Sequence, residues 1–195
     1  MLSDFLRLIK GFVLFIGPSA AGKTSILRRL VTGKFEHQKP TLGFSEENVA
    51  KVRIIEIGGQ ASFRHYWKDA INQNPVNIFF VIDVTKEQDY REYEDFIKDY
   101  QDNYPQISKK AVLTANKIDL AKTIPTYLSN VTIPIQCSAK TGEGMLDILE
   151  MIASHRNEAE AVIQPQRIDQ SNGEQTINNE EEKAESILRE FQGKF

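Results

Sequence analysis

Short apolar runs alternate along this chain with stretches of helical period, from residue 12 to residue 157. Phe12-Val13-Leu14-Phe15-Ile16 and Ile78-Phe79-Phe80-Val81-Ile82 are apolar at every position, the mark of strands buried on both faces of a sheet. The pattern places strands at 12–16, 43–49, 52–57, 78–83, 111–115 and 131–136, and helices at 23–31, 62–72, 87–103 and 143–157. In the last helix, Met145, Leu149, Ile152 and Ala153 recur at helical spacing and read as the core-facing stripe. Strands alternating with helices in this order predict an α/β domain, a six-stranded and mostly parallel sheet with helices on both faces.

Two kinds of segment fall outside this body at 11–157. Residues 1–10 form an amphipathic N-terminal segment, with Leu2, Phe5, Leu6 and Ile9 on one helical face and Ser3, Asp4, Arg7 and Lys10 elsewhere. Residues 158–179 are rich in Gln, Asn and Glu and read as a flexible polar linker. Residues 180–195 carry Ala184, Ile187, Leu188 and Phe191 at helical spacing before Gly193, a short amphipathic tail helix.

Composition narrows the classes. A net charge of −3 and a pI near 5.7 leave no basic excess, so no nucleic-acid partner is expected. Cys137 is the sole cysteine, which excludes an intramolecular disulfide and fits a reducing cytoplasm. No apolar run reaches the length of about 18 residues that a membrane span needs. The expected location is cytoplasmic, and three readings stand open for the apolar face of residues 1–10. It docks on the protein's own sheet, binds a partner, or lies reversibly in a cytosol-facing membrane interface.

Candidate chemistry begins at Gly17-Pro18-Ser19-Ala20-Ala21-Gly22-Lys23-Thr24, which fits the phosphate-loop pattern GxxxxGK(S/T) between a strand and a helix. Backbone N–H groups of such a loop and of the first helical turn point inward at phosphate oxygens. Pro18 has no N–H, so the cradle begins after it, with Ala20, Ala21, Gly22, Lys23, Thr24 and then Ser25. Lys23 supplies a point charge to the β- and γ-phosphates, and the Thr24 hydroxyl suits Mg²⁺. After the fifth strand stands Asn116-Lys117-Ile118-Asp119. The Asp119 carboxylate can accept from both N1–H and the 2-amino group of guanine, donors that adenine lacks, whereas Asn116 would tie the loop to the base and to the phosphate loop. Sites of this kind discriminate by about 10⁴–10⁵. Cys137-Ser138-Ala139-Lys140 follows the sixth strand, where the Ala139 N–H is placed to reach guanine O6, and Cys137 reads as a small buried residue.

Between these elements lie Pro40-Thr41-Leu42-Gly43-Phe44 and Glu56-Ile57-Gly58-Gly59-Gln60, followed by Arg64 and Trp67. With them, residues 12–157 resemble a small Ras-superfamily GTPase and, within that superfamily, a divergent member of the Arf family. The resemblance implies the P-loop small GTPase fold, a GTP/GDP cycle with Mg²⁺, slow hydrolysis, and a switch in membrane trafficking or membrane-associated signalling. It implies effector proteins, an exchange factor and a GAP as partners at switches I and II. By the same resemblance Thr41 reaches Mg²⁺ when the γ-phosphate is present, Gly59 donates its N–H to that phosphate, and Gln60 orients the attacking water. Lys23, Thr41 and Gln60 are then the catalytic set, and Thr24, Thr41 and Glu56 the metal set. Arg64 is expected to be structural, so a partner supplies the arginine finger, without which such sites are slower by about 10³–10⁵.

The chain also departs from the Arf pattern. Glu56 stands where the family has Asp, and the extra methylene moves the carboxylate about 1.5 Å towards the metal. The stretches from Thr41 to Glu56 and from Leu120 to Thr132 are shorter than the Arf pattern, and Cys-Ser-Ala-Lys is closer to Ras and Rab proteins. Glu56 favours an alternative reading, a nucleotide-stabilised Arf-like scaffold or adaptor subunit that scarcely hydrolyses GTP. A P-loop kinase is disfavoured, because nothing in that chemistry requires Asn116-Lys117-Ile118-Asp119.

Overall fold

The computed structural model describes residues 11–101, 104–121, 123, 125–130 and 134–155; the readings of 1–10, 158–179 and 180–195 fall outside the described residues. Five strands run parallel: β1 (Phe12–Ile16), β3 (Val52–Ile57), β4 (Asn77–Asp83), β5 (Ala111–Asn116) and β6 (Ile135–Gln136). β2 (Phe44–Val49) pairs antiparallel with β3, and the six-stranded sheet has the order β2-β3-β1-β4-β5-β6. The helices are α1 (Lys23–Thr32), α2 (His65–Asn72), α3 (Glu87–Gln101), α4 (Pro105–Lys110) and α5 (Met145–Ser154).

Alternate positions of the central strands feed two cores, which is why those strands are apolar throughout. Phe12, Leu14, Ile16, Ile78, Phe80 and Ile82 pack beneath α2 and α3, where Trp67 meets Phe80 edge-on at 5.8 Å. Val13, Phe15, Phe79 and Val81 pack beneath α1 and α5, with Phe15 stacked on Phe79 at 4.7 Å. The helices thus cover both faces, as the pattern required.

The differences are local. The expected helix at 62–72 is a 3₁₀ turn at Ala61–Phe63 followed by α2, divided at Arg64. α4 was not expected, because six residues are too few to display an apolar period; Pro105 opens it at the position where a missing N–H costs nothing. On α5 the buried stripe is Met145, Ile148 and Ile152, whereas Leu149 is half-buried and Ala153 exposed. The core takes the spacing i, i+3, i+7 and leaves the i+4 and i+8 positions at its edge.

β2 and β3 are joined by Ala50 and Lys51, both at positive φ (52° and 68°), the conformation of the tightest hairpin turn. That turn sets Val49 opposite Val52 and Ser45 opposite Glu56. β1 has β3 on one side and β4 on the other, so the chain leaves its C-terminal end at a switch in strand order, where α/β sheets open a crevice. No helix among the described residues is long and apolar enough to cross a membrane.

Candidate functional site

The loop leaving β1 has little freedom in residue type. Gly17 has φ +132°, and a Cβ there would collide with the Val81 carbonyl of β4; Gly22, at φ +96°, caps α1 against the Asn116 side-chain amide. The open N-terminus of α1 faces a cleft of about 470 Å³, lined here by Ser19, Ala20, Gly22, Lys23, Thr24 and Ser25. Lys23 is only 5% exposed, and its Nζ donates to the carbonyls of Gly17 at 2.9 Å and Pro18 at 2.8 Å. An ammonium has three N–H groups, so one remains for the cleft. Burial pushes the Lys23 pKa down to about 8, against the opposing pull of Glu56. Gly17 and Ala21 do not line the cleft: Gly17 serves through its carbonyl, and Ala21 is fully buried with its N–H turned to Pro18 O at 3.4 Å.

Thr24, Thr41 and Glu56 come from α1, the segment before β2, and β3, and the fold brings them together. Thr24 Oγ1 donates to Glu56 Oε1 at 2.6 Å, Thr41 Oγ1 lies 3.1 Å from the same oxygen, and the two hydroxyls are 2.9 Å apart. Glu56 is 1% exposed, and Ser45 Oγ donates to its other oxygen at 3.2 Å. Two hydroxyls and one carboxylate are all oxygen donors, suited to a hard cation. One carboxylate is too little for a protein-only cage, and no group of three His, Cys, Asp or Glu able to hold a metal occurs among the described residues. The set therefore fits Mg²⁺ held jointly with phosphates.

Gly58, Gly59 and Gln60 line the same cleft, and Gly59 lies so close to the phosphate loop that a Cβ would strike Gly17 and Pro18. Arg64 is engaged elsewhere. Its Nε donates to Gly59 O at 3.3 Å, its guanidinium lies 5.6 Å from the Trp67 ring centre, and Nη2 is 2.9 Å from Glu92 Oε2, an ion pair without hydrogen-bond angles.

At the far end of the cleft Asp119, Asn116, Lys117, Ala139 and Lys140 gather. Ser138 is buried and acts from behind, donating its hydroxyl to Asp119 Oδ1 at 2.6 Å. Asn116 Nδ2 donates to Ala21 O at 2.8 Å, which joins this end to the phosphate loop as expected. The Ala139 N–H, expected to face guanine O6, instead donates to Asn116 Oδ1 at 3.1 Å; the Lys140 N–H has no partner among the described residues. Lys117 Nζ bridges Ala20 O and Asp83 Oδ2, each at 2.7 Å. Burial opposes ionisation of Asp83, yet hydrogen bonds from Lys117 and Thr85 outweigh it and hold its pKa below the usual carboxylate value. Cys137 is buried, and desolvation pushes its thiol up to about 12, so it is inert packing.

Pattern reading missed Asp83 and the segment Phe35, His37, Gln38 and Lys39, which also line or brace the cleft. Asp83 had a signal, an acid ending a doubly buried strand; the segment after α1 had none.

A family model described as the ADP-ribosylation factor family matches residues 5–156. ADP-ribosylation factor-like protein 3 of Caenorhabditis elegans is 30% identical over 159 residues, 73% of this chain and 86% of that protein. ADP-ribosylation factor-like protein 1 of the same organism is 31% identical over 157 residues, 73% of this chain and 87% of that protein. An ADP-ribosylation factor of Encephalitozoon cuniculi is 33% identical over 114 residues, 56% of this chain and 54% of that protein.

Proposed function

The chain belongs to the ADP-ribosylation factor family, and on that premise we propose that it is a switch that binds GTP, hydrolyses it slowly, and engages effectors through residues 40–44 and 58–67. Members of this family are GTPases that bind GTP and GDP, generally with Mg²⁺, and act in membrane trafficking. The observation that carries the reading is the junction of Thr24, Thr41 and Glu56 on the phosphate side of the cleft that holds Asp119 at its other end.

In this mechanism the phosphates lie on the N-terminus of α1 and Lys23 neutralises their bridging charge. Thr24, Thr41 and Glu56 would hold Mg²⁺. When bound, that ion draws negative charge from the β- and γ-phosphate oxygens. Gln60 holds the attacking water in line. Arg64 is committed to Glu92 and Trp67, so a GAP must bring the finger. In the expected result, Gln60→Leu binds GTP as the wild type does and lowers single-turnover hydrolysis by about tenfold or more, the order for loss of one positioning group. The scaffold reading draws on Glu56, a glutamate where the family pattern has Asp, whose longer side chain reaches further towards the metal position. A wild type that hydrolyses GTP no faster than Gln60→Leu, with or without a GAP, would replace the switch by that scaffold.

Residues 1–10 are proposed to contact a cytosol-facing membrane reversibly, from their apolar stripe and the two cations Arg7 and Lys10. Flotation with anionic liposomes should be stronger for the GTP form and lost on deleting these residues. If the intact protein never floats in either nucleotide state, the stripe is a core or partner face.

A further inference from the structure

A hydroxyl that ligates a cation does so through a lone pair, so its proton must be sent elsewhere. The Thr24 proton goes to Glu56 Oε1 at 2.6 Å. The Thr41 proton has two acceptors in reach: Thr24 Oγ1 at 2.9 Å, where it would take one of the two lone pairs of an oxygen meant for a cation, and Glu56 Oε1 at 3.1 Å, where it leaves both threonine oxygens open. The orientation of the Glu56 carboxylate decides between them. A glutamate carboxylate turns about one more bond than an aspartate does, and that terminal torsion has only a broad preference. Thr24 holds Oε1, and the second oxygen needs its own anchor to fix the carboxylate plane; Ser45 Oγ, donating to Oε2 at 3.2 Å, is the one present on that oxygen among the described residues.

We propose that Ser45 is a positioning residue for the cation of the GTP site: by engaging Oε2 it turns Oε1 to accept both threonine protons and leaves both threonine lone pairs facing the cleft. The inference rests on the GTP-and-Mg²⁺ reading proposed above. Its distance exceeds the usual O–H···O length, so Ser45 steers the carboxylate rather than clamping it. Strand register gives the position its meaning. Ser45 is opposite Glu56, and a slide of β2 by two residues would bring either Glu47, a like charge, or Gly43, which has no donor side chain. The hydroxyl at 45 thereby links the hairpin register to the metal site.

The test uses the full chain loaded with a fluorescent, non-hydrolysable GTP analogue, with release timed across free Mg²⁺ concentrations and in excess EDTA. Ser45→Ala should need about tenfold more Mg²⁺ for half-maximal slowing of release, the scale seen when a partner of a metal ligand is lost. Release in EDTA should match the wild type, and Ser45→Thr should restore the wild-type Mg²⁺ curve. An unchanged Mg²⁺ curve for Ser45→Ala, or equal acceleration with and without Mg²⁺, overturns the positioning role and leaves the GTP reading standing. Wild-type release indifferent to Mg²⁺ overturns the GTP-and-Mg²⁺ reading as well.

Discussion

Asp119→Asn is expected to lower affinity for GTP by about 10³-fold or more and to move preference towards xanthine nucleotides. The Ser138 hydroxyl fixes Asp119 Oδ1 at 2.6 Å, so the carboxylate is already oriented when a base arrives. An ionised carboxylate offers only acceptors, which match guanine N1–H and its 2-amino group. In the variant, Ser138 still needs an acceptor and selects the amide oxygen, which turns the amide NH₂ towards the base. There it opposes the 2-amino group of guanine but donates to the 2-oxo group of xanthine. The same logic predicts much weaker binding of ATP, because adenine would cover Asp119 and leave its second oxygen without a donor, a large cost for a charge taken out of water. Calorimetric titration of the wild type with GTP and ATP is the check, and equal affinities would sink the assignment.

Much of this molecule was legible because its constraints are local. β1 and the 78–82 stretch of β4 announce themselves by apolar character at every position, a consequence of having a core on each face. Gly17 and Gly22 were legible for a similar reason, since the backbone there admits no side chain. Contacts that depend on sheet order were not. Lys117 reaches Asp83 across 34 positions, and Ser45 meets Glu56 only because the Ala50-Lys51 turn sets their register. The Ala139 N–H reads from its place in the motif as a contact for the base, and the side chain it meets, Asn116 Oδ1, comes from the neighbouring strand end rather than from the motif itself. α4 fell below what periodicity can resolve, because it is barely longer than one turn and a half.

Lys23→Ala should weaken nucleotide binding by about 10²–10³-fold, since removing one member of a buried charge pair costs about 2–5 kcal/mol. Its environment adds a pH signature. Burial holds Lys23 near a pKa of about 8 in the folded protein against 10.5 as its ordinary value. The unfolded chain therefore carries one more proton between those limits, so free-protein stability from this group rises with pH across that window; below it the full cost of burying the charge is present. Phosphate reverses the preference, because it favours the charged amine. Wild-type affinity for GTP should accordingly fall as pH rises through about 8, whereas Lys23→Ala, with no amine to titrate, should remain uniformly weak. Guanine itself loses a proton at alkaline pH in both proteins, so the ratio of wild-type to variant affinity isolates Lys23. A ratio that stays constant from neutral pH to a unit above that value, or a variant that binds within about threefold of the wild type, would remove Lys23 from the phosphate site and leave it a brace for the carbonyls of Gly17 and Pro18.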